Sequence, residues 1–186
     1  MKNILEEIAA RTRERIAKEK TCISVSELEN RIQEVNKNAG KRITFLQALQ
    51  KDGMSYICEV KKASPSKGLI APDFPYLAIA KEYEGASAIS CLTEPFYFQG
   101  ADQYLREIAA TVQIPVLRKD FTVDEYMIYQ AKSLGASAVL LICAILDDGE
   151  LRAYRQLAKE LGLDALVEAH DDYEVDRALN LGAEIV

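Results

Sequence analysis

From Ser55 onward, short apolar runs and amphipathic helical stretches alternate without interruption, and this alternation limits the fold more than any other feature of the chain. The runs are SYICEVK, AISCLTE, PVLRKDF, SAVLLICA and DALVEAH, and AEIV begins a sixth at the end. Between them lie helical patterns near 75–84, 103–111, 123–134, 149–161 and 172–181. Apolar strands joined through helices pair in parallel, because such a connection can return to the same end of the sheet, and these crossovers are almost always right-handed. The pattern predicts an α/β fold of five strand-helix units plus the start of a sixth strand. It leaves barrel and open sheet undecided. No GxGxxG follows the first run and no Walker motif occurs, so the two commonest nucleotide-binding signatures are absent.

Residues 1–50 differ from the rest. Charge-rich helical pattern covers about 4–18 and 27–35, a short third helix is expected at 44–50, and no strand pattern is present. Ser26 with Glu29 has capping-box spacing, but so does Ser24 with Glu27, which fixes the second helix start only to within two residues. Thr122 with Glu125 makes another such box and Asp171 with Glu174 resembles one, while Pro75 suits a first helical turn. Gly85, Gly135, Gly162 and Gly182 stand where helices should stop, since glycine readily takes the left-handed C-cap conformation. Three of these open similar corners, Gly85-Ala86-Ser87-Ala88, Gly135-Ala136-Ser137-Ala138 and Gly182-Ala183. Ancestral duplication and ordinary corner chemistry explain them equally well.

Charge and length narrow the function classes. With 29 Asp and Glu against 23 Lys and Arg, the net charge of -6 removes the broad basic field that sequence-independent nucleic-acid binding needs, while a local basic pocket for a small anion stays open. A chain of 186 residues ordinarily builds one core. No apolar run nears the ~18 residues of a membrane span. The amino terminus alternates charges where a signal peptide needs an unbroken apolar stretch, so a cytoplasmic protein without membrane contact is expected. Cys22, Cys58, Cys91 and Cys143 form no CxxC pair and are expected as plain buried thiols. With His170 the only histidine, no metal site and no metal cofactor are expected.

The apolar runs end in charge. In an extended strand, residues two apart share a face, which pairs Glu59 with Lys61 and aligns Leu166, Glu168 and His170. Lys119 closes the third run before Asp120 and Phe121, and Thr93 and Glu94 close the second. An ionisable group inside a parallel strand costs several kcal/mol unless it is paired or faces a solvated cavity. The carboxyl ends of parallel strands are where ligands bind in such folds. Glu59, Lys61, Lys119 and Glu168 are therefore read as functional, able to supply both an acid and a base. Glu94, Asp120 and Lys62 are read as exposed loop beginnings. The turn Ala63-Ser64-Pro65-Ser66-Lys67-Gly68 gains weight from following Glu59 and Lys61 directly. Phe96, Tyr97, Phe98 and Phe121 are read as core on sequence alone.

CEVKKASPSKG, with Glu59, Lys61, Ser64, Pro65 and Ser66, resembles the signature of the indole-3-glycerol phosphate synthase family. LTEPFYFQG (92–100), PVLRKDF (115–121), AVLLICAIL (138–146) and LVEAH (166–170) are similar to that family's second to fifth strands in order and spacing, and residues 1–50 to its helical extension. The resemblance implies a TIM (β/α)8 barrel with an N-terminal helical extension at 1–50 and barrel units at 51–186. It implies ring closure of 1-(2-carboxyphenylamino)-1-deoxyribulose 5-phosphate to indole-3-glycerol phosphate, with release of carbon dioxide and water and without a cofactor. Carried over by position, Lys119 is the general acid and Lys61 lies near the substrate carboxylate. Glu168 partners the dehydration, Glu59 positions the lysines, and Ser64 helps hold the substrate. Phe98, Phe121, Leu140 and Leu166 line the slot for the anthranilate ring, which replaces the core reading of the two phenylalanines.

A complete barrel needs about 250 residues, so the chain is expected to stop inside strand six. The family's later residues, an Asn and an Arg after strand six, a Ser after strand seven and the phosphate-gripping loops, would then lie outside it. Two strand edges are expected to be open, inviting self-association or a complementing fragment. A catalytically impaired fragment of that kind is one alternative. A Schiff-base aldolase using Lys61 or Lys119 as nucleophile is another.

Overall fold

The computed structural model describes residues 4–38 and 42–186. Helices α1 (Ile4–Cys22), α2 (Val25–Asn38) and α3 (Phe45–Leu49) come first. Strand β1 (Ile57–Val60) opens the alternating region and is followed by a small antiparallel hairpin, β2 (Ala63–Ser64) on β3 (Gly68–Leu69). Then come α4 (Tyr76–Glu82), β4 (Ala88–Leu92), α5 (Asp102–Thr111), β5 (Val116–Lys119) and α6 (Glu125–Ser133). The described chain continues with β6 (Ala138–Ile142), α7 (Asp148–Glu160), β7 (Asp164–Glu168) and α8 (Asp172–Asn180). The five long strands form one sheet in the order β1-β4-β5-β6-β7, every pair parallel.

Side-chain parity decides the question of closure. Val60, Ile89, Cys91, Val116, Val139, Leu141 and Val167 bury in one cluster with residues of α4 to α8, among them Ala80, Leu105, Ile108, Ile128, Leu151 and Ala178. Their strand neighbours Ala88, Leu117, Ala138, Leu140 and Ile142 point the other way, into a second cluster with Leu166. None of α4 to α8 contributes to that second cluster, which is closed instead by Ile8 of α1 and Phe45 of α3. An open doubly wound sheet carries helices on both faces; a barrel wall carries its crossover helices on one. This sheet is wound as a barrel wall; α1 and α3 reach its inner side, while Leu28 of α2 packs with Tyr126 and Met127 of α6.

Several local expectations are corrected. The α2 cap is Ser24, not Ser26: its Oγ accepts from Glu27 N–H at 3.1 Å and its C=O takes the first helical bond, from Leu28 N–H. Asp124, not Thr122, caps α6, accepting from Tyr126 N–H at 2.9 Å, because the helix begins only at Glu125. Pro75 stands at the N-cap of α4 rather than inside its first turn. Gly135, Gly162 and Gly182 take the expected left-handed conformation, whereas Gly85 does not, since α4 tightens there into a 3-10 turn. The last apolar run makes a single parallel bridge, Leu166 to Ile185, beside β7. Among the cysteines Cys91 and Cys143 are buried, but Cys22, at the end of α1, is exposed and Cys58 is half-buried. No described helix is long and apolar enough to cross a membrane.

Candidate active site

The inner face of the sheet is apolar in its lower layers and charged at its carboxyl end. Strand register places the charges. Val60 lies beside Cys91 and Leu92 beside Lys119, so one further residue along the chain puts Lys61 level with Leu92 and Lys119. The same step from the Arg118 to Val139 pair brings Leu140 to this level, and Leu140 is paired in turn with Leu166. Glu168, paired with Ile142, sits two residues higher. Register thus sets the apolar pair Leu140 and Leu166 level with the two lysines and two residues below Glu168.

Two lysine–glutamate pairs form a charged rim. Lys119 Nζ lies 3.3 Å from Glu168 Oε2, and the other oxygen of Glu168 is 3.0 Å from His170 Nε2. Lys61 donates to its strand neighbour Glu59. Each of the four side chains is 28–32% exposed, deep enough to be shaped by the wall yet reachable by a solute. His170, 55% exposed, is the outer neighbour of Glu168. Phe98 and Phe121 face each other with ring centroids 6.4 Å apart and join the cluster that contains Leu140, Leu166 and Tyr97.

Ser64 is buried within the hairpin after β1, its Oγ accepting from Lys67 N–H at 3.2 Å. The segment after β1 is therefore an ordered β2–β3 hairpin. Of the nine candidate residues, Leu140 and Leu166 lie mid-strand on the inner face, Glu59, Lys61, Lys119 and Glu168 lie at or just beyond the strand carboxyl ends, and Ser64, Phe98 and Phe121 lie on the segments that follow. No group of three or more His, Cys, Asp and Glu among the described residues is arranged to hold a metal.

The reading of Glu94 and Asp120 as exposed loop beginnings is wrong; both are buried. Glu94 is inaccessible and its carboxylate accepts three backbone N–H groups, from Phe96 at 3.0 Å, Tyr97 at 2.7 Å and Phe98 at 3.0 Å. It folds the loop that presents Phe98. Asp120 accepts from Arg15, Thr93 and the N–H of Phe121. Burial works against its ionisation, yet the guanidinium groups of Arg15 and Arg118 and the Thr93 hydroxyl outweigh that and hold its carboxyl below the ordinary aspartate range. The available signal was Arg118-Lys119-Asp120 itself. Three consecutive ionisable residues at the end of a parallel strand cannot all face solvent, and successive ones must enter opposite environments.

The family model described as indole-3-glycerol phosphate synthase matches residues 5–186. The indole-3-glycerol phosphate synthase of Ruminiclostridium cellulolyticum is 52% identical over 186 residues, covering 98% of this chain and 70% of the relative. That of Lacticaseibacillus paracasei is 52% identical over 185 residues with the same coverage, and that of Endomicrobium trichonymphae is 50% identical over 186, covering 98% and 71%. A barrel-type wall with its helices on one face, two lysine–glutamate pairs on its rim and a match along nearly all its length lead to one conclusion: the chain belongs to the indole-3-glycerol phosphate synthase family.

Proposed function

We propose that the two lysine–glutamate pairs carry the chemistry of this chain, with Lys119 as the principal proton donor. The family sets the reaction, in which 1-(2-carboxyphenylamino)-1-deoxyribulose 5-phosphate loses carbon dioxide and water to become indole-3-glycerol phosphate, a carboxy-lyase step of tryptophan biosynthesis. Its protein is a TIM barrel, here represented by five strand-helix units and the bridge at Ile185. Residues 1–50 act as its helical extension and 51–186 as its barrel units. The substrate is a free phosphorylated small molecule in the cytoplasm, and no cofactor takes part.

When the aromatic carbon bearing the carboxylate attacks the ribulose carbonyl, a carbon–carbon bond forms and the carbonyl oxygen must gain a proton. Lys119 gives it. Lys61, near the substrate carboxylate, holds that group until it leaves as carbon dioxide and its electron pair restores the aromatic ring. The new hydroxyl then departs as water, which needs a proton on the leaving oxygen and a base for the carbon-bound proton; Glu168 is the partner in that step. The cationic iminium on this path is supported by Glu59 and Glu168 beside a dry wall of Phe98, Phe121, Leu140 and Leu166. Ser64 helps hold the substrate. The observation that carries the reading is the 3.3 Å contact of Lys119 with Glu168, on strands whose inner side also carries Leu140 and Leu166.

Turnover of the synthetic substrate, followed by indole fluorescence, tests it. Lys119→Ala and Glu168→Gln should each lower kcat at least about a hundredfold, as loss of a general acid or base does. Near-parental turnover in both variants overturns the assignment. Borohydride with substrate should trap no adduct on Lys61 or Lys119; a trapped imine would favour the Schiff-base alternative instead.

A further inference from the structure

The residue after the proposed proton donor belongs to a closed polar ring that the reaction as described does not use. Arg15 of α1 donates from Nη2 to both oxygens of Asp120, at 3.1 and 3.0 Å. Arg118 Nη2 lies 3.5 Å from Asp120 Oδ2 and 3.0 Å from Asp102 Oδ1. Its Nη1 donates to Gln130 Oε1 at 3.2 Å and to the Met127 carbonyl at 2.9 Å. Gln130 Nε2 donates to Glu19 Oε2 at 2.6 Å, and Glu19 returns to Arg15 at 3.8 Å. Arg118 and Asp120 are 2% and 1% exposed.

We propose that Asp120, clamped by Arg15 and Arg118, is a positioning residue for Lys119 and Phe121, so that α1 is part of the catalytic geometry; this rests on the role given to Lys119 above. Lys119 and Phe121 flank Asp120, and the Asp120 carboxylate accepts the N–H of Phe121 at 2.8 Å. Thr93 donates its N–H to the Lys119 carbonyl at 3.1 Å and its hydroxyl to Asp120 at 2.8 Å. Thr93 in turn leads into Glu94 and the turn that presents Phe98. One carboxylate thus joins the proton donor to both aromatic walls. Fold stability alone is a weak reason for such a cluster, because buried ion pairs are commonly no more stabilising than apolar residues of the same volume. What ions supply is direction, and a misplacement of ~1 Å at a reacting group can cost about a hundredfold in rate.

The test is a mutant cycle in the full chain, with kcat and KM measured by indole fluorescence and the folded fraction by circular dichroism. Asp120→Asn should lower kcat at least roughly tenfold while KM stays within about threefold. Arg15→Met should lower kcat in the same sense, and the double variant should fall no further than Asp120→Asn, because both remove one interaction. Arg15→Lys, which keeps a donor toward Asp120, should restore part of the loss. Lys20→Ala removes an α1 ion pair to Asp124 that lies outside the ring and should leave kcat unchanged. Parental kcat in folded Arg15→Met and Asp120→Asn, or strictly additive losses, overturns the proposal. If Asp120→Asn does not fold, the two Arg15 variants decide alone. Lys119→Ala separates the two levels: if it is inactive while the ring variants are normal, only the positioning claim falls, and if it is active the lysine assignment itself has failed.

Discussion

Glu94→Gln isolates the contribution of one buried carboxylate to the slot. The parent side chain is inaccessible and accepts from Phe96 N–H through one oxygen and from Tyr97 and Phe98 N–H through the other. Glutamine keeps the volume but replaces one acceptor with an amino group. Its better orientation turns the remaining oxygen toward Tyr97 and Phe98 and sets N–H against N–H at Phe96. A hydrogen bond to a charged group contributes about 1.5–3 kcal/mol, and an unpaired buried donor costs about 1–3 kcal/mol. These describe largely the same loss, and Phe96 is 48% exposed, so water recovers part of it. About 2 kcal/mol of destabilisation is expected. With a urea slope near 2 kcal/mol per molar, the unfolding midpoint followed by circular dichroism should drop by about 1 M. KM should rise as well, because the turn carries Phe98. A midpoint within about 0.2 M of the parent, at unchanged slope, would refute the claim that this carboxylate holds the turn together.

Acid should act on Asp120. Its carboxyl is held below the ordinary aspartate range, so its stabilising share is complete above about pH 4 and is lost as pH falls through the lowered folded-state value. The stability gap between the parent and Asp120→Asn, from urea titrations at a series of pH values, should therefore be flat near neutrality and shrink at acid pH; a gap that widens in acid would contradict the network. A thiol reagent at neutral pH should label exposed Cys22 first, while Cys91, pushed by burial up to about 12, should react only on unfolding, as peptide mass mapping can show. Gly100→Ala would set a Cβ 2.5 Å from the Leu92 carbonyl oxygen, so a loss of about 1–3 kcal/mol with a raised KM is expected. Unchanged stability and KM would mean the loop has room that the geometry denies.

What the sequence revealed and what it hid divide along physical lines. Strand positions, helix positions and the inward set Glu59, Lys61, Lys119 and Glu168 follow from two local periodicities, which is why they could be read from residues alone. The helix caps were harder, since Ser24 and Ser26, or Thr122 and Asp124, offer equivalent oxygens and only the path of the chain selects one. Arg118 and Asp120 were harder still. Their partners Arg15 and Asp102 lie 105 and 16 residues away, and no local rule links α1 to the exit of β5. Glu94 was misread for the opposite reason. Its partners are its own next few backbone N–H groups, and an acidic residue before an aromatic turn looks like a solvated corner until the turn is seen to close over it.

Arg118, Lys119 and Asp120 occupy three successive places where β5 ends, yet the outer two share the buried polar ring while Lys119 between them faces the rim, and only the two-residue repeat of extended chain sorts them. Deleting or inserting a single residue in β5 would interchange the hidden guanidinium and the working ammonium while leaving composition almost untouched. Natural variation in this stretch should accordingly run through replacements of like size, with its length frozen.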